Sequence, residues 1–331
     1  MRLLTVLLLI LLLTPAARAA DSAVLVMYHR FGEEAFPSTS IRLDQFEAHL
    51  KLLKEGGYTV LPLPEIVSAL KDKRPLPDKA AAITMDDAYV SIYRQAWPRL
   101  KAAGYPFTLF VATGDIDAGL KDHMSWEQIR ELARSGVTIG AHSVTHPHMP
   151  DLTPAQIDQE FAHSNRRLKE ELGLAPELIA YPYGETSLAI IEAAKKAGYI
   201  AGFGQHSGVA WSGGDLYYIP RFPFNEKYGE PERVKRNLET LPLPAIKLAP
   251  GDYTLRSPPM AYSFEVEDSA GSIARLACYT SDGAPAQTSI EGRRVEAKLV
   301  KPFGKGRNRL NCTLPASGGR FRWFGVQYYV P

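Results

Sequence analysis

Four times along its 331 residues the chain repeats one pattern: a helical stretch with basic residues near its end, a glycine, then a short apolar run. Residues 50–57 lead into 59–63, 100–104 into 107–112, 131–136 into 137–141, and 193–198 into 200–203. Cations in the last turn with glycine just beyond it satisfy the free carbonyls of a helix C-terminus. Apolar runs that do not alternate with polar residues are strands covered on both faces. Helix followed by such a strand, repeated, therefore predicts parallel strands joined by crossover helices. Further apolar runs at residues 23–27, Ala80–Met85 and 178–181 belong to the same series. Roughly seven strands in about 200 residues fit a closed or nearly closed (β/α) barrel better than a small open sheet.

The pattern breaks near Leu241. Pro242, Pro244 and Pro250 interrupt the chain, and after Gly251-Asp252 alternating stretches replace the helical spacing. They cover Ala261–Val266 and residues 275–279, 294–300 and 320–330, with turn pairs such as Asp282-Gly283 and Gly318-Gly319 between them. This predicts an α/β barrel over residues 20–245 and a small all-β, sandwich-like accessory domain over 246–331. Cys278 and Cys312 are the two cysteines, both in the second part, and neither has metal-site neighbours. In an exported chain they are expected to form one disulfide.

Export is the expectation at the N-terminus. Arg2 precedes an apolar stretch over residues 3–13, and Ala17-Arg18-Ala19 is a small-x-small cleavage site. The stretch falls short of the roughly 20 residues that cross a bilayer. Residues 1–19 therefore read as a signal peptide cleaved after Ala19, leaving no transmembrane anchor and a periplasmic or secreted protein. Cleavage removes Arg2 and Arg18 from 38 basic residues, so the remainder matches the 36 acidic ones. A neutral chain has little field with which to hold a polyanion, which argues against nucleic acid as a partner.

Two short strings carry the chemistry. Asp86 and Asp87 end the apolar run Ala80–Met85, and His142 and His146 follow the run 137–141. Paired carboxylates and imidazoles at the C-terminal ends of parallel strands form a donor set suited to a divalent metal, with one carboxylate left over as a base. Pro147 disfavours a helical His146, so a tight turn with converging rings is expected. Thr153-Pro154-Ala155-Gln156 then starts a long helix with a capping box and a first-turn proline.

Thr84-Met85-Asp86-Asp87-Ala88-Tyr89 resembles the Thr-Phe-Asp-Asp-Gly-Tyr motif of polysaccharide deacetylases, the NodB-homology carbohydrate esterases. His142-Ser143-Val144-Thr145-His146 is similar to that family's His-Ser/Thr-x-x-His motif, and Ala180-Tyr181-Pro182-Tyr183-Gly184 to its Arg-x-Pro-Tyr-Gly motif. Val26-Met27-Tyr28-His29-Arg30 resembles the opening strand of the exported branch acting on poly-N-acetylglucosamine. The resemblance covers about residues 23–240. It implies a deformed (β/α) barrel and one divalent ion, usually zinc, held by Asp87, His142 and His146. It also implies Asp86 as general base and the backbone N–H of Tyr183 as oxyanion donor. The implied reaction is hydrolysis of acetamide groups on N-acetylhexosamine units of an exported or cell-envelope polysaccharide.

The chain departs from the family pattern at several points. Ala88 replaces the motif glycine, so the loop after Asp87 must tolerate a Cβ. Met85 replaces a core phenylalanine. Ala180 stands where many relatives place the arginine that pairs with the catalytic aspartate. Arg221 supplies that charge from another strand end, or is a plain surface arginine. No Leu-x-His string follows Arg221, which leaves His206 as candidate general acid, with a protonated Asp86 or water at the metal as alternatives. Tyr181, Trp211 and His29 are substrate-contact candidates, each also readable as ordinary packing. His148 reads as a loop residue near the site, and His49 and His163 as solvated helix positions. Trp323, Phe324, Tyr328 and Tyr329 form either a sugar-binding strip or a sandwich core. A carbohydrate-binding or assembly protein with an impaired site is the rival reading that these departures support.

Overall fold

The apolar runs of the first 203 residues become strands of one parallel sheet. The computed structural model describes residues 19–173 and 175–331. Except for Ala19 itself, the expected signal peptide lies outside the described residues. Six strands, β1 (Ser22–Tyr28), β2 (Ala80–Met85), β3 (Thr108–Val111), β4 (Thr138–Ala141), β5 (Leu178–Ala180) and β6 (Ala201–Phe203), lie side by side in sequence order. Neighbours pair in parallel: Val24–Tyr28 with Ala81–Met85, Phe110 with Gly140, Leu178 with Ala201. All six residues of β2 are buried, as a strand covered on both faces requires.

The crossovers are helices, all of them expected from the sequence except the one over Leu63–Lys71. These are α1 (Leu43–Glu55), α2 (Leu63–Lys71), α3 (Trp97–Ala103), α4 (Trp126–Arg134), α5 (Pro154–Leu172) and α6 (Leu188–Lys196). Thr153 caps α5 with the reciprocal Gln156 bond, and α3 stops at Gly104, whose φ of 70° a β-carbon would oppose. The strand expected at 59–63 shortens to Thr59–Val60, because Pro62 already caps α2.

The sheet curls into a half-barrel, and residues 219–223 span its two margins. Ile219 bridges to Phe203 of β6, and Phe222–Pro223 pairs in parallel with Val26 and Met27 of β1. Arg221 rides on this span.

After α7 (Pro231–Leu238) the regular structure is β apart from two single 3-10 turns, Asp268–Ala270 and Ser317–Gly319. One four-stranded sheet contains β7 (Leu241–Pro242), β10 (Ala277–Thr280), β13 (Gly306–Pro315) and β14 (Phe321–Val330) in the order β7-β14-β13-β10. The other contains β8 (Ala245–Ala249), β9 (Ala261–Val266), β11 (Gln287–Glu291) and β12 (Arg294–Lys298) in the order β8-β9-β12-β11. Tyr262 against Tyr328 at 5.1 Å and Phe264 against Phe324 at 5.1 Å join their inner faces. Tyr328 is buried in this core, whereas Tyr329, on the opposite face of the strand, is buried against the barrel, its hydroxyl donating to Asp151 at 2.7 Å. Cys278 and Cys312 face each other across β10 and β13 and form the disulfide.

Candidate metal centre

Three loops at the C-terminal ends of β2, β4 and β5 converge on one point. Asp87 follows β2 with φ 71°, and buried Ala88 follows it at φ 57°, so the loop accepts the Cβ that replaced glycine. His142 leaves β4, and the turn beyond it uses positive φ at Ser143 (65°) and His146 (50°). This tight turn brings both rings inward, with the His146 N–H donating to Ser143 Oγ at 3.1 Å. Glu160 of α5 secures the turn by accepting from the N–H groups of Val144 and Thr145 at 2.8 and 3.0 Å. The sequence offered no signal for Glu160, since one acid on a charged helix face looks like any other.

His142 Nε2 and His146 Nε2 lie 3.3 and 3.4 Å from Asp87 Oδ1. One ligand atom from each residue falls within a 4.8 Å cluster. Asp87 Oδ1 and His142 Nε2 are buried and have no hydrogen-bond partner among the described residues. Buried orphans are costly, and these two face a shared point, which is the donor arrangement a divalent cation satisfies. His142 Nδ1 donates to the Ala180 carbonyl at 2.6 Å, which leaves Nε2 as the lone-pair nitrogen. Burial, then the neighbouring His142, lowers His146 to about 4, so its imidazole is neutral and free to coordinate. Burial pushes the Asp87 carboxyl up, but the histidines around it reverse this and hold it well below the ordinary carboxylate range.

Asp86 turns the other way. It is fully buried and clasped by Arg221, with Nη1 to Oδ1 at 2.7 Å and Nη2 to Oδ2 at 2.8 Å. Arg221 is equally buried and also donates to Thr84 Oγ1 at 3.1 Å and the Gly204 carbonyl at 2.9 Å. Burial raises the Asp86 pKa, and the Arg221 charge, helped by His142 and His29, brings it below the ordinary value. The arginine absent at Ala180 is thus replaced in space by one from the span across the barrel margins. His29 is half-buried and follows Tyr28, whose carbonyl accepts from the Asp86 N–H at 3.0 Å.

Tyr183 lies beside the triad at φ 57°, its ring edge-on to His146 at 4.4 Å and stacked on His148 at 4.4 Å. His148 is held through Nδ1 by buried Glu185 at 2.8 Å.

Three expected residues lie elsewhere. Tyr181 is fully buried in the core, so it offers no face to a sugar. Trp211 pairs with Ser22 at the start of β1, the end of the sheet away from the triad. His206 is buried against Tyr218 at 4.5 Å. Burial, then Arg309 and Arg221, lowers it to about 3, so near neutral pH it is a neutral imidazole and supplies no imidazolium to act as the acid. His49 is also buried rather than solvated, bonded to the Tyr28 hydroxyl and the Gly229 carbonyl.

Comparison with known proteins agrees with this geometry. Residues 73–202 match the family described as Polysaccharide deacetylase. The chain is 32% identical over 200 residues to YxkH of Bacillus subtilis (strain 168), which carries that family's name; the match covers 60% of this chain and 69% of YxkH. It is 26% identical over 241 residues to the poly-β-1,6-N-acetyl-D-glucosamine N-deacetylase of Escherichia coli (strain K12), covering 60% of this chain but only 36% of that protein. Among solved structures, IcaB from Ammonifex degensii superposes with a TM-score of 0.59 at 28% identity, over 66% of this chain and 97% of IcaB.

Proposed function

This chain belongs to the polysaccharide deacetylase family, and from that premise we propose that it hydrolyses acetamide groups on N-acetylhexosamine units of an exported or cell-envelope polysaccharide. Acetate leaves and a glucosamine-type amine remains on the polymer. The observation that carries this reading is the cluster of Asp87, His142 and His146, with orphaned ligand atoms, beside a second carboxylate clasped by arginine.

In this reading Asp87, His142 and His146 hold one divalent ion, zinc being the usual choice for such a donor set. When bound, the ion polarises the acetamide carbonyl and lowers the pKa of water at the site. Asp86 takes the proton of the attacking water and, once protonated, returns it to the amine nitrogen as the C–N bond breaks. Arg221 fixes the direction of that carboxylate and keeps it ionised until then. The Tyr183 N–H donates to the oxyanion as it develops. His29, at the rim of the same pocket, contacts the substrate. Export of the chain belongs to the proposal as well; among the described residues no helix is long and apolar enough to cross a membrane.

Purified protein is expected to carry about one divalent ion per chain and to lose it in the double variant His142→Ala, His146→Ala. Acetate release from β-1,6- and β-1,4-linked N-acetylglucosamine oligomers should fall about a hundredfold or more in Asp86→Asn while the metal stays bound. Retained metal with no acetate from either polymer would reject the enzyme in favour of a carbohydrate-binding protein. Metal content indifferent to the histidine substitutions would reject the ligand set.

A further inference from the structure

The C-terminal sheets grip the loop that carries Tyr183, and they do it with side chains. Gln327 of β14 is 1% exposed, and its Nε2 donates to the Tyr183 carbonyl at 2.9 Å. The Tyr218 hydroxyl lies 2.8 Å from the Gly184 carbonyl and 3.2 Å from that of Gln327, tying the two segments a second time at the same place. Nearby, Thr254 Oγ1 donates to the Thr186 carbonyl at 2.8 Å, and Asp252 accepts from the Leu188 N–H at 3.0 Å.

Two features mark the Gln327 bond as more than packing. Tyr183 holds φ 57°, a conformation that costs a residue with a side chain about 1–2 kcal/mol and persists only where its surroundings enforce it. Escape from positive φ requires rotation of the peptide between Pro182 and Tyr183. That rotation swings the Tyr183 N–H itself. A carbonyl pinned on the other side of the residue blocks the compensating movement. In addition, Gln327 Oε1 is buried without a hydrogen-bond partner among the described residues. A half-satisfied buried amide is costly, and an apolar side chain of the same shape avoids that cost. The one bond this amide makes through its side chain is the bond to Tyr183.

We propose that Gln327 is a positioning residue: by pinning the Tyr183 carbonyl it keeps that residue's N–H aimed at the developing oxyanion. The β-sandwich thereby completes the catalytic site instead of serving as a detachable module. This rests on the deacetylase reading above.

The test compares Gln327→Met, close in shape but without the donor, with the wild-type full-length, metal-loaded chain. On N-acetylglucosamine oligomers kcat should fall about tenfold, with KM and metal content unchanged. Amide hydrogen exchange over residues 181–188 should speed up. Gln327→Asn, whose amide is one methylene too short to reach, should behave alike and serves if the methionine variant does not fold. The double variant Cys278→Ala, Cys312→Ala weakens the same sheets without touching the bond and should keep wild-type kcat. Wild-type kcat and exchange in the Gln327 variants overturn the proposal. So does an equal loss of kcat in the disulfide variant, which would assign the effect to a loosened sandwich. If the wild-type chain releases no acetate, the deacetylase reading fails and the catalytic role of Gln327 with it; unchanged exchange overturns the clamp separately.

Discussion

Asp86 and Arg221 are 135 positions apart, yet each is the other's principal partner. Both are fully buried, and two charges leave water without net loss only when they are paired and hydrogen-bonded together. The two parallel bonds meet that condition. Arg221→Met should therefore destabilise the fold by about 3–5 kcal/mol, because it strands a buried carboxylate. Adding Asp86→Asn removes the stranded charge and should return part of the loss, as read by urea denaturation of both variants. A single variant as stable as wild type would show that the pair is not buried in solution. The aspartate was legible in the sequence from its neighbour and its strand end. Its partner was legible only as one of two alternatives, since spacing does not say which loop crosses the barrel margin.

Among the elements, α1 shows how a local reading can fail. His49 looks like a polar position on a helix surface, but α1 packs against β1 and the turn before α7. There the Tyr28 hydroxyl donates to Nδ1 at 2.9 Å and Nε2 donates to the Gly229 carbonyl at 2.6 Å. Both ring nitrogens are engaged in the neutral form, and a proton on Nδ1 would break the Tyr28 bond. Burial lowers the His49 pKa from its ordinary 6.5 to about 4, against smaller opposing effects of the Gly229 carbonyl and Glu230. Above pH 6.5 neither state holds the proton. Between 6.5 and 4 the unfolded chain takes it up and the folded chain does not, so stability falls as pH falls through that window. Between pH 7 and pH 5 this amounts to about 2 kcal/mol. His49→Gln should lose that much less over the same interval. The comparison is made against wild type because His206, lowered to about 3, also contributes. Equal losses in the two proteins would show that His49 is accessible in the folded state.

On the scale of the whole molecule, a single buried cluster runs from Val24 and Phe46 in the barrel through Tyr218 and Phe222 to Tyr262, Val295 and Tyr328 in the sandwich. β7 adds a strand to β14, and Arg309 reaches from β13 to the Gln205 carbonyl at 3.2 Å. Continuous apolar packing of this kind couples the two parts in unfolding. Calorimetry should show one transition, and two separated transitions would mean an independent accessory domain. Removing the disulfide by Cys278→Ala, Cys312→Ala should cost about 3–4 kcal/mol, lowering that single transition rather than splitting it.

The sequence by itself determined the parallel α/β core, the β region after it, and the Asp-Asp and His-x-x-x-His strings at strand ends. Each of these follows from local periodicity, from capping chemistry, or from ligand types a few positions apart. Only the tertiary structure decided which arginine answers Asp86, that Tyr181, Trp211 and His206 face away from the triad, and that Gln327 reaches Tyr183 from 144 positions away. Those facts depend on where the barrel closes and how the sandwich seats on its rim. Contacts between distant segments leave no period in the chain, because the apolar surfaces that bring them together look the same whichever partner they meet.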